Sequence, residues 1–211
     1  MLLLNPDNKR AKTDILHRNE MHKTVMRLLP EYMGESPREQ ANLLWRTDER
    51  NGFTQLFIQS TTELALWNLP DGYTMSEAEL DYNRVLDTMV VGTEITYRIA
   101  ANPTSVRTRT TSVRTHKQRV PLCGEAADDW WANRARQSGL TVKSFDSVAE
   151  DARTFGKGSA TLHVVNFSGQ ALIEDVDKFR TSITIGVGRG KSYGTGLLLA
   201  APSTGVFTTV R

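Results

Sequence analysis

The sequence predicts an α+β protein made of two tandem ferredoxin-like (RRM-like) domains with antiparallel sheets. The order strand–helix–strand–strand–helix–strand can be followed along the first half of the 211 residues, and a similar alternation returns in the second half. Strand-like segments with alternating or short apolar runs are separated by turn residues, and the segments between them have helical spacing. Each half therefore has the elements of one small sheet covered by helices.

The first half begins with a short apolar segment. Its predicted elements are a strand over 1–4, a helix over 19–29, strands over 42–49 and 52–60, a helix or loop over 76–90, and a strand over 93–99. The helix has an apolar stripe that includes Met21 and Val25, and Pro30 ends it. Asn51 and Gly52 form a strong hairpin signal between the second and third strands.

The second half repeats this alternation. Its predicted elements are a helix over 125–137, a strand over 140–145, two strands over 161–167 and 170–173, a helix over 174–184, and a strand over 197–200. Ser168 and Gly169 indicate a turn between the paired strands. We expect an N-terminal domain over 1–103, a basic linker over 104–119 and a C-terminal domain over 120–211.

The positive charge of the chain is concentrated in one segment. The whole chain has a net charge of +2, whereas residues 98–119 contain six Arg or Lys residues and no Asp or Glu. A basic strip on an otherwise acidic body is typical of proteins that bind nucleic acids. The predicted phosphate contacts of this segment are Arg98, Arg107, Arg109, Arg114, Lys117 and Arg119.

A glycine-rich run over 186–196 contains five glycines among basic residues. Exposed backbone N–H groups and nearby cations suit an anion such as a phosphate backbone. The run is not a P-loop, because that motif requires its first glycine where Ile185 stands. We expect the RNA-binding residues of this run to be Gly188, Arg189, Gly190, Lys191 and Ser192.

Composition excludes several classes of protein. The lone cysteine, Cys123, rules out an internal disulfide and favours a reducing, cytoplasmic location. No apolar run approaches the length of a membrane span, so we expect no membrane partner. One cysteine and four scattered histidines do not have metal-ligand spacing. We therefore expect neither a metal nor another cofactor.

His22 is the histidine best placed for chemistry. If Asn19 caps the predicted helix, His22 is its third residue and lies in the positive end of the helix dipole. That field lowers the pKa of the imidazole and leaves it neutral near pH 7, so it can accept or donate a proton. RNA supplies its own nucleophile, the 2′-hydroxyl. An ordinary first-turn residue without a catalytic role is the alternative interpretation.

Several segments together resemble the CasE family, the endoribonucleases that process CRISPR RNA in type I-E systems. The resemblance covers nearly the whole chain and keeps the family's order. Its segments are the His22 helix with Leu28-Leu29-Pro30, Arg98-Ile99-Ala100-Ala101-Asn102-Pro103, Arg119-Val120-Pro121-Leu122 with Trp131 and Arg134, Phe167-Ser168-Gly169, and the glycine-rich run through Leu198.

The resemblance implies a metal-independent endoribonuclease. Such an enzyme cuts each CRISPR repeat just 3′ of a hairpin stem, leaves a cyclic or 3′ phosphate, and often stays bound within the Cascade complex. The residue matching the catalytic histidine is His22. Some members carry a tyrosine where this chain has Asn19, which cannot replace a phenol in proton transfer. Lys157 is the candidate for cationic support, with Lys191 and Arg189 as alternatives.

Two other interpretations remain at this stage. A non-catalytic subunit that binds an RNA hairpin would share the fold and the basic residues, and the missing tyrosine favours it. A structural protein with an incidental basic loop would have no salt-sensitive affinity for RNA. Of the two neighbouring tryptophans, Trp131 is expected in the core, and Trp130 points elsewhere on the helix and is expected to be partly exposed.

Overall fold

A computed structural model describes residues 1–110, 115–150, 153–154 and 161–203. The elements up to residue 81 are β1 (Leu2–Leu4), α1 (Lys9–Leu16), α2 (Arg18–Met26), a 3-10 turn (Glu31–Met33), α3 (Pro37–Gln40), β2 (Leu44–Arg50), β3 (Phe53–Gln59), a 3-10 turn (Leu66–Asn68) and β4 (Thr74–Glu77). The four strands pair antiparallel in the order β2-β3-β1-β4. The predicted hairpin at Asn51 and Gly52 is confirmed, since both residues have positive φ between β2 and β3.

The remaining described elements begin with a short helix. They are α4 (Tyr82–Asp87), β5 (Glu94–Ala101), β6 (Thr104–Thr110), β7 (Thr115–Pro121), α5 (Glu125–Gln137), β8 (Leu140–Ala149), β9 (Arg153–Thr154), β10 (Thr161–Leu162), β11 (Val165–Ile173), α6 (Val176–Ile185), a 3-10 turn (Lys191–Tyr193) and β12 (Leu198–Pro202). The second four-stranded sheet has the order β12-β5-β11-β8 and is antiparallel throughout.

Both sheets have the same internal strand order. When the strands of each unit are counted from its own first strand, the order is 2-3-1-4 in the first sheet and, read in the opposite direction, also 2-3-1-4 in the second. In the second unit α5 and α6 are the two crossover helices. The predicted class, two tandem ferredoxin-like units with antiparallel sheets, is therefore confirmed.

One strand was assigned to the wrong sheet by the sequence pattern. The strand predicted over 93–99 is present as β5, but it pairs with β11 and β12 of the second sheet rather than closing the first. The first sheet is closed by β4, and its second helix is reduced to the 3-10 turn Leu66–Asn68. Alternation predicts a strand but carries no information on which strand it pairs with. The division of the chain into domains stays a prediction.

The basic segment over 104–119 contains regular structure, because β6 and β7 form an antiparallel hairpin, with residues 111–114 outside the described part. One further expectation needs correction. Ser168 and Gly169 are not a turn but lie within the continuous strand β11. A Cβ at Gly169 would stand 2.0 Å from the carbonyl oxygen of Ser144. This glycine permits a close approach of two strands rather than a change of direction.

Each unit has its own apolar core. The first packs α1 and α2 on the sheet through residues such as Met21, Val25 and Trp45. The second surrounds Trp131, which is fully buried as predicted and donates from its indole N–H to the hydroxyl of Tyr97 at 2.9 Å. None of the described helices has the length and apolar character needed to cross a bilayer.

Polar contacts join the two units between β2, β3 and the second sheet. Arg98 on β5 forms an ion pair with Asp48 on β2 at 2.9 Å. Gln59 at the end of β3 donates to the carbonyl oxygen of Ile183 in α6 at 2.7 Å. These contacts place the first sheet beside the loop that follows α6, and this arrangement creates the site described next.

Candidate functional site

His22 lies on α2, a helix whose N-cap is two residues earlier than the sequence predicted. The N-cap is His17, without a side-chain hydrogen bond, and Asn19 is already inside the first turn. The expectation that Asn19 caps the helix is therefore wrong. His22 becomes the fifth helical residue, in the second turn, where the helix dipole has weakened. Its side chain is half-buried.

The pKa of His22 is lowered, as expected, but for a different reason. Burial of the imidazole is the main cause, because removal from water disfavours the charged form. The positive charge of Arg38 is the second cause. The ring is therefore neutral near pH 7, the state in which imidazole can accept a proton. Arg38 belongs to the short helix α3, which no functional signal in the sequence marked.

The glycine-rich run forms a compact loop, residues 186–196, which we call the glycine loop. All five of its glycines have positive φ, between 76° and 87°. Its ends are joined by a hydrogen bond from Val187 N to the carbonyl oxygen of Gly196 at 2.8 Å, and Gly196 N donates to Ala100 O of β5 at 2.7 Å. The loop is thus anchored on the second sheet by its own backbone.

The tip of the glycine loop lies against the helix that carries His22. The ring of Tyr193 contacts the imidazole, with centroids 5.8 Å apart and planes at 54°. The buried side chain of Arg18 donates to the carbonyl oxygens of Tyr193 at 2.9 Å and Gly194 at 3.3 Å. A second nitrogen of Arg18 binds a carboxylate oxygen of Glu150 at 2.6 Å. Arg18 therefore ties α2 to the loop and to the end of β8.

Close packing leaves no room for a side chain at the contact. A Cβ at Gly194 would stand 2.5 Å from the Trp45 ring and 2.9 Å from the guanidinium of Arg18. The glycine thus allows Tyr193 to approach His22, 171 positions away in the sequence. His22 and the glycine-rich run, which the sequence singled out separately, are therefore in contact in the structure.

Two cations, Lys191 and Arg38, bring positive charge to this part of the site. Lys191, at the start of the 3-10 turn, is half-buried, and burial lowers its pKa, with Arg38 as a second cause acting in the same direction. The charge of Glu39 opposes this shift. Arg38 therefore influences both His22 and Lys191, so these groups share one electrostatic environment. A site of this composition can move a proton at the imidazole and stabilise an anion beside it.

The other predicted binding residues fall in different places. The Arg98 side chain lies at the Asp48 ion pair between the sheets, with its guanidinium 6.0 Å from the Phe57 ring centroid. Arg107, Lys117 and Arg119 are exposed on the β6–β7 hairpin. The side chain of Arg109 and all of Arg114 and Lys157 lie outside the described residues. The loop residues Gly188, Arg189, Gly190, Lys191 and Ser192 follow one another between α6 and the His22 contact.

The hairpin does not present its cations on one side. Cross-strand partners share a face, so Val106 with Arg119 and Thr108 with Lys117 lie on one side. Arg107, opposite Gln118, lies on the other. Both faces of the hairpin therefore carry positive charge. In the described ranges, no three His, Cys, Asp or Glu side chains form a group that could hold a metal ion.

Sequence reasoning missed Arg18, Arg38 and Tyr193. Tyr193 stood inside a run already singled out, and its aromatic type was the available signal. Arg18 and Arg38 had no such signal, because surface arginines are common and only the tertiary contacts distinguish these two. Only 8% of the Arg18 surface is exposed. Arginines are rarely buried to this extent unless, as here, they have hydrogen-bonding or charged partners.

Comparison with known proteins agrees with this architecture. A family model described as "CRISPR associated protein" matches residues 1–202. The CRISPR-associated endoribonuclease Cse3 of Thermus thermophilus is 26% identical over 219 residues, covering 95% of this chain and 98% of that protein. The CRISPR system Cascade subunit CasE of Escherichia coli is 32% identical over 119 residues, covering 53% of this chain and 60% of that protein.

A solved structure shares the fold. Thermus thermophilus Cse3, bound to an RNA representing a pre-cleavage complex, superposes with a TM-score of 0.79 at 23% identity, covering 95% of this chain and 97% of that one. The family match extends over both sheets and includes α2 and the glycine loop. The chain therefore belongs to the CRISPR-associated protein family, as a member of its CasE (Cse3) group.

Proposed function

We propose that this protein is a metal-independent endoribonuclease that cleaves CRISPR precursor RNA within its repeats, at the base of a hairpin, to give mature crRNA. The observation that carries this proposal is the contact of the half-buried His22 with Tyr193 of the glycine loop. It places a neutral imidazole beside a loop suited to phosphate. The Cse3 relative, named an endoribonuclease, supports the same activity.

The reaction uses the nucleophile that RNA carries. The 2′-oxygen beside the scissile phosphate bonds to phosphorus, and the bond from phosphorus to the 5′-oxygen of the next nucleotide breaks. The products are a 2′,3′-cyclic phosphate and a 5′-hydroxyl. His22 accepts the proton of the 2′-hydroxyl or donates one to the leaving 5′-oxygen. Lys191, in the glycine loop that contacts His22, is a candidate to stabilise the phosphorane, and Lys157 stays a candidate for the same role.

The basic hairpin and the glycine loop hold the RNA. Arg107, Lys117 and Arg119 are exposed and suit backbone phosphates, and Arg109 and Arg114 belong to the same basic segment. Because cations lie on both faces of the hairpin, it can contact phosphates of two strands. We further propose that the protein works in the cytoplasm, as its single, exposed cysteine favours. Its other partners are Cascade subunits, by analogy with CasE.

His22 on α2 and His17 at its N-cap offer a matched test. His22→Ala should lower the cleavage rate of a repeat RNA by about 100-fold or more, the usual contribution of a general acid or base. RNA affinity should stay within about twofold, because phosphate contacts lie elsewhere. His17→Ala is the control, since His17 is exposed at the start of the same helix. The assays are run in EDTA, and the product ends are identified by mass spectrometry.

The outcomes separate the proposed enzyme from a non-catalytic subunit. Unchanged cleavage by His22→Ala would remove the imidazole from the reaction. Hairpin binding without any product from the wild-type protein would favour the RNA-binding alternative, which the presence of Asn19 in place of tyrosine supports. Against that alternative, Tyr193 brings an aromatic ring to His22 from the glycine loop.

A further inference from the structure

A cleft lies between the β6–β7 hairpin, α5 and the glycine loop. It has a volume of about 300 Å³ and is lined by Asn102, Thr104, Val106, Arg119, Trp130, Arg134, Gly188 and Arg189. This size is at the lower end of sites for small organic ligands. His22, Tyr193 and Lys191 do not line it, so the cleft is distinct from the proposed site of cleavage.

The lining combines an aromatic ring with three guanidinium groups. Arg134 lies over the indole of Trp130, with its central carbon 5.6 Å from the ring centroid. Arg119 enters from β7, and Arg189 from the glycine loop. Among the described residues that line the cleft, none has a carboxylate. An arginine over an aromatic ring offers a base a stacking platform, and the remaining guanidiniums suit a phosphate.

Gly188 shapes the floor of this cleft. A Cβ there would meet the six-membered ring of Trp130 at 3.2 Å, so the bare backbone lets the loop lie close to the indole edge. Trp130 is half-buried and also packs against the second core. The ring is thus held in place by the loop, by α5 and by the core, and such a held ring loses little freedom when a base stacks over it.

The same loop connects this cleft to His22. Arg189 lines the cleft, and Tyr193, four positions later, contacts the imidazole. Four residues of chain can separate two Cα atoms by at most about 14 Å. Stacked nucleotides of one strand advance about 3.4 Å each, so a few nucleotides can bridge this separation. A strand with its phosphate at His22 can therefore place a nearby nucleotide in the cleft.

We propose that this cleft binds one unpaired nucleotide of the RNA strand that flanks the hairpin, with its base on the Arg134–Trp130 pair and its phosphate between Arg119 and Arg189. This inference rests on the proposed function, because it assumes an RNA substrate with an unpaired flank. It adds a subsite for single-stranded RNA to a protein that also holds the hairpin. Binding there sets how far the scissile phosphate can slide past His22.

The test compares two RNAs: a repeat hairpin with its single-stranded flanks and the same hairpin trimmed to its stem. In both RNAs the last nucleotide of the stem, whose 2′-hydroxyl would attack the scissile phosphate, carries 2′-deoxyribose, so the measurement does not depend on cleavage. Arg134→Gln and Trp130→Leu should weaken binding of the flanked RNA about tenfold, as expected when a stacked base loses its platform. Both variants should bind the trimmed RNA within about twofold of wild type.

Matched controls keep the test specific. Arg136→Gln removes an exposed arginine of the same helix that does not line the cleft, and it should leave both affinities unchanged. Trp130→Phe keeps a ring and should restore most of the affinity lost in Trp130→Leu. Arg134→Gln, an exposed position, decides the result even if Trp130→Leu fails to fold.

Equal losses for the two RNAs would assign the cleft to the stem and overturn the proposal. Unchanged affinity of Arg134→Gln for the flanked RNA would overturn it as well. Because these affinities need no catalysis, a failure of the His22 variants to lose cleavage would leave this comparison intact. The subsite and the catalytic assignment can thus fail independently.

Discussion

At Gly194, the addition of a single methyl group should move the glycine loop, with Tyr193, away from His22 on α2. In Gly194→Ala the new Cβ would lie 2.5 Å from the Trp45 ring and 2.9 Å from Arg18, at a backbone φ of 76°. The left-handed conformation costs an alanine about 1–2 kcal/mol. Overpacking against a buried ring adds about 1–3 kcal/mol. We therefore expect the free energy of unfolding to fall by about 2–5 kcal/mol.

Gly52→Ala supplies the matched control. Gly52 has a φ of 78°, but a Cβ added there would have nothing within 4 Å, so only the backbone cost of about 1–2 kcal/mol applies. Urea unfolding at constant slope measures both changes. Cleavage of repeat RNA should fall about 10- to 100-fold in Gly194→Ala, because the loop must retreat from His22, and stay near wild type in Gly52→Ala. Equal stabilities and equal rates for the two variants would refute the close packing on which the site depends.

Three further predictions concern charge, the aromatic contact and RNA binding. Burial and the charge of Arg38 lower the pKa of His22, so cleavage that needs the neutral ring should decline only below the ordinary histidine pKa of about 6.5. Arg38→Gln should raise the pKa of His22 and move the acid limb of the pH–rate profile to higher pH. An acid limb that does not move would contradict an effect of Arg38 on His22. Tyr193→Phe keeps the ring beside the imidazole and should retain the cleavage rate within a few-fold, whereas Tyr193→Ala should lower it about tenfold or more in single-turnover assays. Equally large losses of rate in both variants would show that the hydroxyl, and not the ring, supports cleavage. Arg107→Gln should lower the salt dependence of RNA binding by about one counterion, whereas Lys12→Gln, an exposed cation on α1, should not.

Arg18 explains why the site depends on tertiary structure. It joins α2 to the glycine loop through two backbone carbonyl groups and to β8 through Glu150. Loss of this buried guanidinium would leave all three acceptors without that partner, at a cost below the ~3–5 kcal/mol of a fully buried pair because Glu150 is partly exposed. The contact between His22 and Tyr193 is therefore held by a residue that takes no part in the proposed chemistry.

The local patterns of the chain determined most of its elements. Predicted helices over 125–137 and 174–184 agree with α5 and α6, and the hairpin at Asn51 and Gly52 is present, because capping, apolar spacing and turn chemistry act over a few residues. α1 was missed, although Asn8 caps it by accepting from the N–H groups of Arg10 and Ala11. The helix is short and polar on average, and its fully buried residues are Ala11 and Asp14, so no large apolar side chains marked it.

Sequence alone also identified His22 and the glycine loop as candidates, since residue type and glycine content are local properties. The packing of the two sheets decided that His22 and the glycine loop touch, that burial lowers the pKa of the imidazole, and that Arg38 and Arg18 lie nearby. Packing also decided which sheet β5 joins. Its alternation suits either sheet, but its Ile95, Tyr97 and Ile99 fill the second core. A chain pattern specifies which face of an element is apolar, whereas only long-range packing decides what that face covers and which charges then meet.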